Sequence, residues 1–141
     1  MATKSKPFSV RISADTDELI AAEARRTHRS KGAVVGALAE EALRARMFPG
    51  VAFRGEDWER RPWVIGTAFD VWQVVDAHRD VGSVEGMVAT GNLSERQVRL
   101  ALAYYERFPA EIDEAIAQNR RPIAQLRDEY PFVEVHSSAE K

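Results

Sequence analysis

The sequence predicts a mainly α-helical protein that begins with one short β-strand. Apolar and polar side chains alternate over residues 8–13, a period of two that is typical of a strand. Further along the chain the apolar spacing changes to three and four residues, which is typical of amphipathic helices. Glycines and prolines divide this helical part into segments. We therefore expect one strand and several helices in a chain of 141 residues, which suits one compact domain or two small ones.

The predicted strand, over residues 8–12, has no neighbouring strand in the sequence with which to pair. An unpaired strand leaves backbone N–H and C=O groups unsatisfied, and a segment of about 40 residues buries too little apolar surface to fold alone. Antiparallel pairing with the same strand of a second chain would turn its apolar residues toward the helices and leave Ser9 and Arg11 facing outward. The strand therefore predicts a homodimer.

The first two helices are predicted from their caps and their apolar spacing. The first helix starts near Asp15 and stops around His28, with acidic side chains at the positive end of the helix dipole. Ser30 is a favourable N-cap for the second helix, which carries an apolar stripe and ends before Pro49. Gly36 inside this helix costs ~1 kcal/mol relative to alanine, which is explained if helices of two subunits cross closely there.

Two stretches of this segment are similar to a known family of proteins. They are Lys6-Pro-Phe-Ser-Val-Arg-Ile-Ser and Arg29-Ser-Lys-Gly-Ala-Val-Val. Over residues 6–46 the chain resembles the ribbon-helix-helix family of CopG, Arc and MetJ. That resemblance implies that residues 1–48 form a DNA-binding and dimerisation domain, in which the paired strands make a β-ribbon in the major groove.

The resemblance assigns expected DNA contacts to two places. Ser9 and Arg11 on the outward face of the ribbon would contact bases, with the Arg11 guanidinium bonded to guanine O6 and N7. The backbone amides of Ser30, Lys31 and Gly32, at the N-terminus of the second helix, would hold a DNA phosphate.

One position departs from the family. Pro7 stands where relatives usually place a third polar residue that contacts bases, so each strand offers only two, and Lys4 and Lys6 form a basic arm for phosphate contacts. The alternative interpretation of the whole segment is a short edge strand beside a helical hairpin in a larger globular domain, with Arg11 simply solvated.

Residues 49–120 are expected to form a small helical domain. Residues 51–65 are expected to be irregular, apart from a candidate short strand at 62–66. Helices are predicted over 69–80, over 84–90 after the N-cap Ser83, from 95 onward, and over 111–119 with Pro109 at a first helical position. The third of them is capped by Ser94 with Gln97, and its predicted inner face consists of Val98, Ala101, Leu102 and Tyr105. The second and third of these helices, separated by a turn at 91–93, form a helix-turn-helix pattern.

This second domain also carries a family resemblance. Its stretches are Arg61-Pro-Trp-Val-Ile-Gly-Thr-Ala-Phe-Asp-Val-Trp-Gln-Val-Val, Tyr104-Tyr105 and Pro109-Ala-Glu-Ile-Asp. Over residues 51–119 the chain resembles a small helical family of unknown function that is common in prokaryotic antitoxins. That resemblance implies the antitoxin of a type II toxin-antitoxin system, often encoded beside a PIN-like ribonuclease toxin.

The helix after Ser94 carries three candidate contact residues, Arg96, Gln97 and Arg99. Their side chains suit base edges, which would make this helix a second DNA contact. The many carboxylates of the same domain repel phosphate, which favours a protein contact instead. The sequence leaves both interpretations open.

Residues 121–141 form a C-terminal tail that is too short for a domain but apolar enough to dock on a partner. One interpretation is that it lies across the toxin, with one arginine in an acidic active site. The candidate toxin contacts are Arg120, Arg121, Arg127, Tyr130 and Phe132. Packing of the tail on its own domain is an equal alternative.

Composition argues against several other classes of protein. With 20 basic and 22 acidic residues the chain does not coat nucleic acid by bulk charge, although residues 1–46 carry a net charge of +3 and the remainder −5. The chain has no cysteine, and its three histidines lie in different segments, so we expect no metal, no cofactor and no enzymatic activity. Because no apolar run of 18 residues occurs, we expect a cytoplasmic protein that does not enter a membrane.

These expectations together favour a DNA-binding antitoxin. It would repress its own operon by binding the operator as a homodimer, or as a higher assembly of dimers, and would neutralise a PIN-like ribonuclease. The alternatives are a stand-alone ribbon-helix-helix transcriptional or plasmid-copy regulator and a purely structural interaction module.

Overall fold

The computed structural model describes residues 6–120, which are mainly helical. The helices are α1 (Ala14–Thr27), α2 (Lys31–Met47), α3 (Val71–Val81), α4 (Val84–Ala89), α5 (Glu95–Arg107) and α6 (Pro109–Asn119). Two short strands, β1 (Val51–Arg54) and β2 (Arg61–Val64), form an antiparallel hairpin between α2 and α3. None of these helices is both long and apolar enough to cross a membrane. The predicted mainly helical fold class is confirmed.

The predicted N-terminal strand does not form in the single chain. Residues 6–13 have no regular secondary structure, and α1 follows them directly. The expected partner of this strand is its copy in a second chain, so one chain alone offers its backbone no pairing groups. The ribbon therefore stays a prediction, and the two-stranded sheet that does form lies after α2.

Local caps set the ends of α1 and α2 much as the sequence predicts. The Ser13 hydroxyl accepts a backbone N–H of the first turn, so α1 begins one residue earlier than expected. His28 ends α1 in the left-handed conformation, with φ at 54°, and its N–H bonds back to carbonyls of the last turn. The Ser30 hydroxyl accepts from the Ala33 N–H at 3.1 Å, which confirms the predicted N-cap of α2.

The β-hairpin corrects part of the expectation for residues 51–65. β2 confirms a strand near Pro62, which begins one residue and ends two residues before the expected positions. β1 contradicts the expectation of irregular structure there, because a strand of four residues is too short to show a period in the sequence. Val51 pairs with Val64 and both are fully buried, so the open end of the hairpin is anchored on the helices.

The apolar core of the described residues lies between this hairpin and α3–α6. Its members are Val51, Val64, Val71, Val74, Val75, Met87, Leu93, Val98, Ala101, Tyr104, Ile112 and Ile116. Val98 and Ala101 confirm the predicted inner face of α5. Tyr104 is buried in place of the expected Tyr105, which is half-buried, because Phe48 and Phe108 cover the Tyr104 ring.

Several predicted helix starts in this part are confirmed. Ser94 and Gln97 form the expected capping box, in which each side chain accepts the backbone N–H of the other residue. Ser83 caps α4, and Pro109 is the first residue of α6. α3 starts at Val71, two residues later than predicted.

We refer to residues 6–47 as the N-terminal unit and to residues 48–120 as the C-terminal unit. The predicted boundary near residue 48 falls at the end of α2, where the Phe48 ring lies 5.2 Å from the Tyr104 ring, between centroids. Arg26 also bonds to Asp57 at 2.9 Å. α2 is therefore packed on the C-terminal unit and is not separated from it by a free linker.

Candidate nucleic-acid interface

The segment before α1 carries the two residues predicted to contact bases. Ser9 and Arg11 are exposed, and neither side chain bonds to another described residue. The alternating apolar residues are exposed as well, with Phe8 at 87% and Val10 at 68%. A strand with this alternation normally buries its apolar face. In the single chain these apolar side chains stay exposed instead.

The two faces of α2 differ in what covers them. One face bonds to the C-terminal unit through Arg44, and Phe48, directly after the helix, packs on Tyr104. The opposite face is an exposed stripe of small and apolar residues at helical spacing. The outer face of α2, as we call it, consists of Gly32, Gly36, Ala39, Leu43 and Met47.

This outer face leaves room for a second helix. Leu43 is 64% exposed and Met47 53% exposed. A side-chain carbon built on Gly36 would meet no atom within 4 Å. A close approach of another helix at Gly36 is therefore sterically open, which is the arrangement that the sequence predicts for two subunits.

α1 adds no core to the N-terminal unit. None of its residues is fully buried, and Leu19 is 72% exposed. In the whole N-terminal unit Val34 is the one large apolar side chain that is fully buried. The helical hairpin of α1 and α2 therefore encloses almost no apolar core of its own, and most of its large apolar side chains stay exposed.

The N-terminus of α2 brings together the three residues predicted to hold phosphate. Ser30 caps Ala33, while the backbone amides of Lys31 and Gly32 lie in the first turn, where a helix provides them with no acceptor. The Lys31 ammonium is paired with the Asp17 carboxylate of α1 at 2.9 Å. Both side chains are half-exposed, so this pair is weak and solvent-screened.

The basic arm is only partly described. Lys6 is exposed, and Lys4 lies outside the described residues. Whether either lysine comes close to the α2 N-terminus depends on how residues 6–13 pair, and their contact with phosphate stays a prediction.

The three candidate residues on α5 have unequal freedom. Gln97 already serves in the cap of α5, and its amide also donates to the Ile65 carbonyl at 3.4 Å. Arg99 is paired with Glu95 at 2.9 Å. Arg96 is exposed and has no ion pair with a described residue, so it is the most available of the three for a contact.

The turn between α4 and α5 does not by itself decide the helix-turn-helix prediction. α4 has only six residues and packs against α5, and a turn at Gly91 with φ at 83° separates them. The C-terminal unit carries eight arginines and twelve carboxylates, a net charge of −4. That charge makes it a poor surface for phosphate.

The predicted toxin contacts fall mostly outside the described residues. Arg120 is described: its guanidinium pairs with Asp76 of α3 and lies 3.8 Å from the Asp80 carboxylate. Arg121, Arg127, Tyr130 and Phe132 lie beyond residue 120. In this chain Arg120 therefore serves to fix the end of α6 against α3.

Two polar clusters were not apparent in the sequence. In the first, the buried Asp70 carboxylate, 4% exposed, accepts from Arg54 and from Arg61, each at 2.8 Å. These bonds join both strands of the hairpin to the start of α3. The only local signal is Gln73, three residues after Asp70, which caps the Asp70 N–H at 2.8 Å.

The second cluster joins α2 to α5 and α6. The Arg44 guanidinium donates to the Tyr104 hydroxyl at 2.9 Å and to Glu111 at 2.7 Å, and it lies 3.9 Å from the centre of the Phe108 ring. Tyr104 in turn donates to Glu111 at 2.7 Å. Burial, and next its bond to Glu111, raise the pKa of Tyr104 above its usual value, so the hydroxyl stays a neutral donor.

Among residues 6–120, no group of three or more histidine, aspartate or glutamate side chains could hold a metal ion. Comparison with protein-family models, with curated proteins and with solved structures found no match.

Proposed function

We propose that this protein is a homodimeric DNA-binding regulator of the ribbon-helix-helix type that acts as an antitoxin. The observation that carries the proposal is the uncovered outer face of α2, together with the uncovered alternating segment before α1. A second copy of the chain presents the same surfaces, so one twofold interface covers both at once.

Dimerisation supplies what the N-terminal unit lacks. Crossing of two α2 helices near Gly36 would cover Leu43 and Met47, and antiparallel pairing of residues 8–12 would satisfy the backbone and bury Phe8, Val10 and Ile12. The same pairing turns Ser9 and Arg11 outward on one side of the dimer. A basic ribbon of this kind fits the major groove.

The antitoxin part of the proposal rests on the C-terminal unit and the tail. Residues 51–119 resemble a family common in antitoxins, and the net charge of −4 favours a protein partner over DNA for this unit. Co-expression with the neighbouring reading frame tests it. Co-purification of a ribonuclease whose activity falls in the complex is the expected result, and failure of the two chains to associate would leave a stand-alone regulator.

The DNA-binding part is tested by changing Arg11. Arg11→Ala should weaken binding to DNA from upstream of the protein's own reading frame by roughly 1–3 kcal/mol, about fivefold to 150-fold, because one bidentate base contact is lost. Fluorescence anisotropy at several salt concentrations measures it, with sedimentation to verify that the dimer is intact.

Arg107→Ala is the matched control, because it removes the same charge from an exposed position on the C-terminal unit. The affinity of the Arg107→Ala variant for upstream DNA should stay within about twofold of that of the unmodified protein. Equal affinities of the Arg11 and Arg107 variants would rule out base contact by the segment before α1.

A further inference from the structure

A groove of about 830 Å³ lies between the α1–α2 hairpin and α6, and we call it the α2–α6 groove. Among the apolar side chains that line it, Val34 and Ile112 are buried, whereas Leu38 is 49% exposed and Trp58 76% exposed. The groove thus combines charged side chains with an exposed apolar wall formed by Leu38 and Trp58.

The outer face of α2 and this groove lie on opposite sides of the helix. Arg44, which lines the groove, belongs to the face of α2 that bonds to the C-terminal unit, and Val34 lines the groove as well. A second copy seated on Leu43 and Met47 therefore leaves the groove uncovered. A segment that occupies the groove is therefore not part of the proposed contact between two α2 helices.

The chain itself leaves α6 at the edge of the groove. Gln118 and Asn119, the last residues of α6, line it, and 21 further residues follow Arg120. A segment tethered there pays little loop-closure entropy and is present at an effective concentration of the order of millimolar. An external peptide of the same sequence lacks that advantage.

The first part of the following sequence has matching chemistry. The groove is lined by seven carboxylates and five guanidinium groups. Ion pairs with Arg26, Arg44 and Arg60 occupy five of the carboxylates and Arg61 pairs with Asp70, so two carboxylates of the lining, Glu59 and Glu114, and one guanidinium, Arg29, have no ion pair with a described residue. Residues 121–127, Arg-Pro-Ile-Ala-Gln-Leu-Arg, contain two arginines and no acid, with two large apolar side chains three residues apart. A basic segment of this kind suits a groove with exposed apolar side chains and a small excess of carboxylates.

We propose that residues 121–127 occupy the α2–α6 groove of their own chain, with Ile123 and Leu126 against its apolar wall. This docking is independent of DNA binding. It gives the tail a defined place in the free protein, and any partner that binds the same segment has to displace it from the groove.

Disulfide cross-linking in the full-length chain tests this docking, because the natural sequence has no cysteine. Ala37→Cys, at the groove, is combined with Ala124→Cys in the tail. Under mild oxidation this pair should form an intramolecular disulfide at least about tenfold faster than the control pair Ala103→Cys with Ala124→Cys. Ala103 is exposed on α5 and does not line the groove.

Two further variants make the result specific. Replacing Ile123 and Leu126 by serine in the first pair should reduce its rate to that of the control, whereas replacing Val133 and Val135 by serine should not change it. Thr27→Cys, also at the groove, substitutes for the residue 37 variant if circular dichroism shows that the latter is unfolded.

Equal rates for the groove and control pairs would overturn the proposal. Disulfides formed only between chains, with a rate that rises with protein concentration, would also overturn it and assign the groove to the tail of a second copy.

Discussion

The N-terminal and C-terminal units bury very different amounts of apolar surface within one chain. The C-terminal unit encloses twelve fully buried apolar residues between a β-hairpin and four helices. The N-terminal unit fully buries only Val34 and exposes large side chains on both the segment before α1 and the outer face of α2. The C-terminal unit thus encloses a core in one chain, whereas the N-terminal unit does not, which supports the proposal that a second copy completes it.

The largest expected effect is on the outer face of α2. Leu43→Glu should raise the dimer dissociation constant at least about a hundredfold, because a buried unpaired carboxylate costs several kcal/mol. Sedimentation equilibrium measures the constant, and binding to upstream DNA should fall with it. Ala103→Glu, at an exposed position of α5, is the control. If the Leu43 variant dimerises as tightly as the Ala103 variant, the outer face of α2 is not the dimer interface, and the proposed difference between the two units is wrong.

An intermediate effect is expected inside the C-terminal unit. Asp70→Asn should lower the free energy of unfolding by roughly 1–3 kcal/mol, because two arginines lose a charged acceptor at a buried position. Urea denaturation measures it. The dimer dissociation constant should change little, because the Asp70 carboxylate bonds to Arg54 and Arg61 of the hairpin and to no residue of the outer face. A large rise in that constant would show that the two units are not independent.

The smallest effect distinguishes two adjacent tyrosines of α5. Tyr104→Phe removes buried bonds to Arg44 and Glu111, and should cost about 1–2 kcal/mol of unfolding free energy. Tyr105→Phe removes exposed bonds to Arg79 and Asp113, and should cost less than about 1 kcal/mol. Urea denaturation of both variants compares them directly, and an equal loss would argue against the burial of the Tyr104 cluster.

What the sequence predicts correctly is local. Ser30, Ser94 with Gln97, and Pro109 mark helix starts because each acts on backbone groups within three residues. A period of two and a period near 3.6 likewise need only a short window. The mainly helical fold class and most helix positions follow from such signals.

The features that the sequence does not predict arise from contacts between residues far apart in the chain, or from the proposed contact with a second chain. Arg44 meets partners 60 and 67 residues away, which no spacing rule indicates. Tyr104 rather than Tyr105 is fully buried because Phe48, which follows α2 and lies 56 residues away in the sequence, covers its ring. The sequence also does not show which face of α2 is covered and which is exposed, because the covering residues belong to the C-terminal unit.

The central claim is that a second copy completes the N-terminal unit. Amide hydrogen exchange of residues 8–12, followed over a range of protein concentrations, tests it most directly, because paired strand amides are protected and solvated ones are not. We expect protection that appears with the dimer and is absent in Leu43→Glu. Fast exchange of these amides at concentrations where sedimentation shows only dimer would contradict the claim.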